Sequence, residues 1–539
     1  MKKTILLLAL LPAIAFSHAK AQTANPLFHH IPSDADQVYH VSLATLGPKV
    51  DWQTLSSLMK GRNLGKTKMP FDIMKALNSG VDFHQDVIIA RSNVYHADST
   101  RYTTIIVHLT DSGKFVAFIQ SAGSDMHFHQ MPGHERVATG NKTSFAWNAN
   151  LAVIVIGGAQ LPGSTSTNPP DLHHLIHKAL TALHGSDHSF FTTDTRFTTA
   201  FSNDADMQIW NRHATNLSMM EKMLKGNPAA AKMGGIMQMI ARSSVAPTIG
   251  TLRFEPGKIS YNIVKFVSPD ELSSLQRLEG QGLSGELVAA VPSGRLMGMM
   301  AMHENLHAMM DSVRRLIPMD SLNSMLGKKG LNLQDFLTAM KGDFMVLAYN
   351  PDKSAAGSAA AKPGIFGMVS VADPAAFTRI TKGLNIPDAA APVDTSAADT
   401  AHHKLKIFYS LHNDIAVIGG DRRQVNDFFN HPAGDAKPAQ RLMLDPSRPI
   451  MFSMGIDMHS VADFLTPMLT RGDTIAAKNQ ALLDAIRQMD VLLISGGINA
   501  GTMQSDFQLR MTDKDRNGLS SFIDIMSKLS AKPSGNESQ

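Results

Sequence analysis

Two short markers recur in the same order about 260 residues apart, and this recurrence limits the possible folds more than any single residue does. The first is Ile31-Pro32-Ser33 ahead of the strand-like Val38-Tyr39-His40-Val41-Ser42-Leu43, echoed by Val291-Pro292-Ser293 ahead of residues 296–302. The second is Leu151-Ala152-Val153-Ile154-Val155-Ile156-Gly157-Gly158, which returns as Asp414-Ile415-Ala416-Val417-Ile418-Gly419-Gly420. Two markers in one order at nearly one spacing are the signature of an internal repeat. Weaker echoes of the opening pattern at Asn203-Asp204-Ala205-Asp206 and Asp445-Pro446-Ser447 divide each copy again. The expected organisation is a signal segment at 1–21, a first copy at 22–285 with a module boundary near 200, and a second copy at 286–530 with its boundary near 443. A disordered tail is expected at 531–539.

Alternating residues at 103–109 predict a strand, and the helical spacing at 114–120 predicts a helix beside it. Residues 250–266 read as a hairpin turning at Pro256-Gly257. Frequent hairpins with interspersed helices point to an α+β fold of antiparallel sheets with helices packed on one face, because a doubly wound fold would alternate strand and helix regularly. Polar interruptions at 161–170, 350–364 and 386–403 read as loops, and the last two are expected to be exposed.

Lys2 and Lys3, the apolar run 5–16 and the small-residue pattern Ala19-Lys20-Ala21 have the order of a secretory signal, with an apolar core too short to span a bilayer. The expectation is an exported chain beginning near Gln22, periplasmic or extracellular, with no transmembrane segment after the signal is removed. With no cysteine there is neither a disulfide framework nor an acylation site, so a lipoprotein is not expected. At 539 residues the chain is long enough to bury more than one core without such staples. Lys and Arg number 50 against 46 Asp and Glu, and no dense basic run carries interleaved aromatics, so nucleic acid is not an expected partner. The 33 methionines fit irregular core packing, although with the 23 histidines they also raise copper or zinc sequestration.

Pro32-Ser33-Asp34-Ala35 with its strand, Leu43 and Leu46, the repeated Pro-Ser starts and the strand-Gly-Gly elements together resemble the Bacteroidota exported domain-of-unknown-function family 4836. The resemblance covers most of the chain after the signal. Many members of that family look like lipoproteins, and this chain departs from them in lacking the anchor cysteine. The resemblance implies no activity, ligand or catalytic residue.

His303-Glu304-Asn305-Leu306-His307 matches H-E-x-x-H, in which two histidines one helical turn apart bind zinc and the glutamate activates the bound water. A third protein ligand is also required, and no glutamate follows Glu304 until Glu537, so Asp311, Asp320 or a histidine would have to serve. The motif falls at the strand-to-helix junction of a repeated module whose first copy carries residues 43–47 there. We therefore expect Leu306, Met309 and Met310 to face the core and the histidines to serve a helix start. His173 and His177 share one helical face, with His184 and His188 beyond, and suit a solvated face as well as a metal site. The segment 61–67 resembles a phosphate loop but is one residue short between its glycines, and Ser57 with Lys60 lacks the companion motifs of acyl-serine enzymes. Asp34 and Asp36 read as a turn that launches a strand, since the other module starts have no such pair. The expected function is that of a non-enzymatic binding or interaction protein of the cell envelope, with an envelope protein, a glycan or a lipid as partner and no cofactor. The alternatives are a zinc hydrolase with Glu304 as catalytic residue and His303 and His307 as ligands, and metal sequestration by Met and His, with His173 and His177 as further candidate ligands.

Overall fold

The computed structural model describes most of residues 25–530; segments 55–77, 93–100, 158–170, 213–245, 351–362, 392–406 and 445–450, with a few shorter ones, lie outside the description. The phosphate-loop-like segment, Ser57, Lys60, and the loop at 161–170 fall there. The chain packs as two compact units, Met1–Val41 with Ala76–Asn203, and Ser42–Lys75 with Asp204–Gln539.

The first unit holds strands β1 (Ala35–Ser42), β2 (Asp86–Ser92), β3 (Tyr102–His108), β4 (His127–Gln130), β5 (Arg136–Thr139), β6 (Thr143–Trp147) and β7 (Leu151–Gly157). They lie in the order β1-β2-β3-β7-β6-β5-β4, and the ladders from β2 to β4 are antiparallel. The near-continuous apolar run of β7 is explained by its place between β3 and β6, where residues pointing to either face are buried. Two helices, α1 (Ser112–Ala122) and α2 (Leu172–His184), cover this sheet. Asp111 starts α1 by accepting from the backbone N of Gly113 at 2.9 Å and of Lys114 at 3.0 Å, which satisfies donors the helix leaves open. Phe115 and Ile119, one turn apart, are wholly buried in a cluster with Val107, Phe145 and Trp147. In α2, capped by Asp171, the stripe Leu175, Ala179, Ala182 and Leu183 is the buried one. Phe28, Phe191, Phe197 and Phe201 form a second centre, in which Phe28 meets Phe197 edge-on at 5.0 Å and Phe201 at 5.2 Å. Asp34 lies as expected in the turn before β1, closed by Ala35 N to Pro32 O at 3.0 Å, whereas Asp36 is buried within β1 itself.

The second unit contributes β8 (Met207–Asn211), β9 (Thr248–Glu255), β10 (Lys258–Lys265), β11 (Leu296–His303), β12 (Met340–Tyr349), β13 (Gly364–Val371), β14 (Phe408–His412), β15 (Ile415–Gly419) and β16 (Phe452–Asp457). A small hairpin follows, β17 (Thr470–Arg471) with β18 (Thr474–Ile475), then β19 (Met489–Asn499) and β20 (Thr502–Met511). Apart from that hairpin the order is β8-β9-β10-β20-β19-β16-β11-β12-β13-β15-β14, with every ladder antiparallel. The helices used below are α3 (Pro269–Glu279), α4 (Gly285–Ala289), α5 (Leu306–Leu316), α6 (Pro374–Gly383) and α7 (Arg422–Asp427). The fold is therefore mixed α+β with extensive antiparallel pairing. Met299, Met345, Met368 and Met443 sit in one buried cluster with Leu347, Val417 and Leu493, the gap-filling role that an unbranched side chain suits.

Two of the expected loops are partly structured. Asn350 is buried at the start of the first, its Nδ2 donating to Ser460 O at 2.9 Å. In the second, Ala389 N donates to Tyr409 O at 2.7 Å and Tyr409 N to Pro387 O at 3.1 Å. Pro387 lacks a donor, but its carbonyl is free to accept, so this short strap covers part of the open edge of β14.

Asp206, fully buried ahead of β8, accepts from Lys49 Nζ at 2.6 and 2.8 Å and from Phe254 N at 2.6 Å. A carboxylate taken out of water is tolerated only with such partners. Asp206→Ala leaves the Lys49 ammonium without its counter-charge and should cost about 3–5 kcal/mol. Urea denaturation read by circular dichroism measures this; a loss below about 1 kcal/mol would mean that Lys49 finds solvent instead.

Candidate functional site

The two histidines of H-E-x-x-H stand on different elements. His303 ends β11, opposite Asp343 in the β12 ladder, and its Nδ1 lies 2.6 Å from Asp343 Oδ1. Asp343 is buried and also accepts from Ser284 N at 3.3 Å, so His303 meets a cross-strand carboxylate. Gly342 has φ +104°, and a Cβ there would lie 2.1 Å from Glu304 O, so the chain turns against glycine at this point. Asn305 Oδ1 accepts from Ala308 N at 3.1 Å and starts α5. His307 follows in the first turn of α5 and is exposed. A metal-binding H-E-x-x-H needs both imidazoles on one helical face, whereas here the chain passes from strand to helix between them. Leu306 and Met310 are buried with Met309 packed beside them, as expected, but the helix-start role belongs to Asn305 and not to the histidines.

His173 and His177 lie on the exposed face of α2, opposite its buried stripe, and His177 Nδ1 is 3.5 Å from Thr181 Oγ1. Other histidines meet single carboxylates. His29 Nδ1 lies 2.7 Å from Asp187, His184 Nε2 lies 2.7 Å from Glu135, and the buried His40 Nε2 lies 3.0 Å from Asp86. Among the described residues no group of three or more His, Asp or Glu is arranged to hold a metal ion. His303→Ala strips a buried carboxylate of its partner and should lower stability by about 1–3 kcal/mol, whereas His307→Ala should change it by less than about 0.5 kcal/mol. Equal effects in thermal unfolding would contradict this placement.

A cleft of about 550 Å³ opens at one end of the first unit. Its walls come from the ends of several elements: His30 from the turn Pro26–His30, His108 from the end of β3, Ser112 from the start of α1, Arg136 from the start of β5 and Trp147 from the end of β6. Arg136 and Trp147 are ladder partners across β5 and β6. The turn 148–150 completes the rim, tied to β3 by Leu109 N donating to Asn150 O at 2.8 Å. No acidic side chain is among the described residues that line it. Sequence reasoning missed this site because its residues are scattered from 26 to 151 and share no spacing; the polar turn after Trp147 was the only local signal.

His30 is held below the ordinary imidazole range, first by burial, against which the bond from Nδ1 to Ala182 O at 2.8 Å acts, and then by the neighbouring His29 and His108. In the unfolded chain His30 takes up a proton near pH 6.5, but the folded protein resists until lower pH, so between those values the unfolded state binds more protons. Stability from this group therefore falls as pH drops through that window. His30→Gln should flatten the dependence of melting temperature on pH below about 6.5, and an unchanged slope would contradict the burial of this imidazole.

Comparison with known proteins adds little to this geometry. No family model matches the chain, and no curated protein matches it. Crystal forms IV, III and I of TP0453 are similar at 10%, 9% and 10% identity, with TM-scores of 0.29, 0.27 and 0.28. The matches cover 48%, 47% and 46% of this chain and 87%, 86% and 81% of those chains. A likeness at that level carries no argument about this chain, and the cleft stands on its own geometry.

Proposed function

We propose that this chain is an exported, non-enzymatic binding protein built from a duplicated two-module unit, with the cleft of its first unit as the ligand seat. Export rests on the signal-like start, and membership in the exported family 4836 is part of the same reading.

The duplication is supported by hydrogen bonds that recur with the sequence offset. Leu109 N donates to Asn150 O at 2.8 Å, and Val371 N donates to Asp414 O at 2.7 Å. Thr110 N and Asp111 N both reach Gly80 O, as Ala372 N and Asp373 N both reach Ala339 O. Asp111 caps α1 one turn before the buried Phe115, and Asp373 caps α6 one turn before the buried Phe377. The order β2-β3-β7-β6 corresponds to β12-β13-β15-β14, and β8-β9-β10 corresponds to β16-β19-β20. Ser42 N to Asp206 O at 3.1 Å and His303 N to Met451 O at 3.2 Å add a further matched pair.

The observation that carries the binding reading is the open cleft lined by His30, His108 and Arg136 without an acidic partner. Sites for small molecules are concave, of about 300–1,000 Å³, with a few convergent polar groups on an apolar wall. On the duplication reading, His108 corresponds to Ser370, since each is the last residue before the matched turn bond, and Trp147 corresponds to Leu411, each opposite an alanine in its ladder. The second copy thus lacks the residues that give the first its chemistry. No catalytic assembly of nucleophile, base and orienting group lines the cleft among the described residues, which favours binding over turnover.

Two measurements test this reading. Metal analysis of protein purified without chelator should find no stoichiometric zinc or copper, and hydrogen exchange with a small-molecule library should show protection concentrated in residues 26–30, 108–112 and 147–151. Stoichiometric zinc lost on His303→Ala, or hydrolytic activity lost on Glu304→Gln, would replace it with the zinc-hydrolase reading.

A further inference from the structure

We infer that the cleft takes a small organic carboxylate, its anionic group lying among Arg136, His30 and His108 and its short apolar body against Trp147 and Leu151. This inference rests on the cleft being the ligand seat, and it adds the chemical class of the ligand.

Arg136 is exposed at the rim, permanently cationic, and presents a planar fork that matches a carboxylate. The carboxylates near the cleft in sequence are already engaged: Glu135 with His184 at 2.7 Å, and Asp111 with the first amides of α1 at 2.9 and 3.0 Å. A cationic ligand would need an acidic wall, and none of the described lining residues is acidic. His30 is held low first by burial and then by His29 and His108, and an anion placed beside the ring favours its protonated, donating form.

Trp147 supplies a donor without an acceptor. Trp147 is 1% exposed, and its indole Nε1–H has no hydrogen-bond acceptor among the described residues. A buried donor left in this state is costly, and native proteins rarely leave one without a role. A carboxylate, with two oxygens that only accept, is the kind of partner this donor lacks. The wall is also apolar: Leu27, Trp147 and Leu151 are all buried at the cleft, and they favour a hydrocarbon or aromatic body over a polyhydroxylated one.

The test uses the full chain carrying ¹⁵N-labelled tryptophan, whose three indole signals include that of Trp147, assigned with Trp147→Phe. Octanoate, octanol, octylammonium and glucuronate are titrated separately. The expected result is a saturable shift of the Trp147 indole signal with octanoate, weaker or absent with the other three. Arg136→Gln should weaken octanoate binding roughly tenfold or more while leaving the melting temperature unchanged, because the side chain is exposed. Octanol binding as tightly as octanoate, or indifference to Arg136→Gln, overturns the carboxylate while leaving a ligand seat. Glucuronate binding as tightly overturns the apolar body. If none of the four probes moves the Trp147 signal, the carboxylate inference falls, and if the library screen also leaves the cleft unprotected, the binding reading falls with it.

Discussion

The bond from Leu109 N to Asn150 O, 2.8 Å long, ties the end of β3 to the turn between β6 and β7, and the cleft depends on it. On one side of that tie stand His108 and Ser112, and on the other Trp147 and Leu151. Asp111, three residues beyond His108, caps α1 with two backbone bonds and so fixes where the helix begins. The positions of the lining side chains thus follow from backbone pairing and one cap. A site set in this way is rigid, because moving one wall breaks a ladder that continues into the core.

Stability in a chain without cysteine comes from packing and from burying polar groups in pairs. The cluster around Phe115 and Trp147 anchors the sheet beneath the cleft, while the Phe28, Phe197 and Phe201 cluster holds the turn that carries His30. Two buried acidic side chains are partnered in this way, Asp206 by Lys49 and Asp343 by His303. Among the described residues four histidines, His29, His40, His184 and His303, meet a carboxylate, and His303 does so across a ladder.

Much of the local structure was legible. The alternation at 103–109 and the helical spacing at 114–120 correspond to β3 and α1, and the Pro256-Gly257 hairpin joins β9 to β10. The mixed α+β class followed from these patterns. The site was not legible, because His30, His108, Arg136 and Trp147 meet only through strand order, which local periodicity does not encode. H-E-x-x-H misled for a related reason: the motif assumes a helix over all five residues, whereas β11 runs to His303, Glu304 lies against Gly342 of β12, and the helix starts only at Leu306. On the proposed duplication the Gly-Gly marker lies two residues out of step with the ladders. Gly157 pairs with Tyr102 and Gly419 with Phe366, whereas the matched turn bonds place Leu109 against Val371. A shift of two residues keeps each side chain on its own face, so the apolar pattern conceals it.

On the proposed duplication the chain has two related copies, of which the first carries a seat for a ligand, and the second has Ser370 and Leu411 where the first has His108 and Trp147. The most direct measurement of that claim is the stoichiometry of octanoate binding by isothermal titration calorimetry on the full chain. The account predicts one site per chain, lost in His108→Ser, which writes the second copy's residue into the first. Two equivalent sites per chain, or one site that survives His108→Ser unchanged, would contradict it.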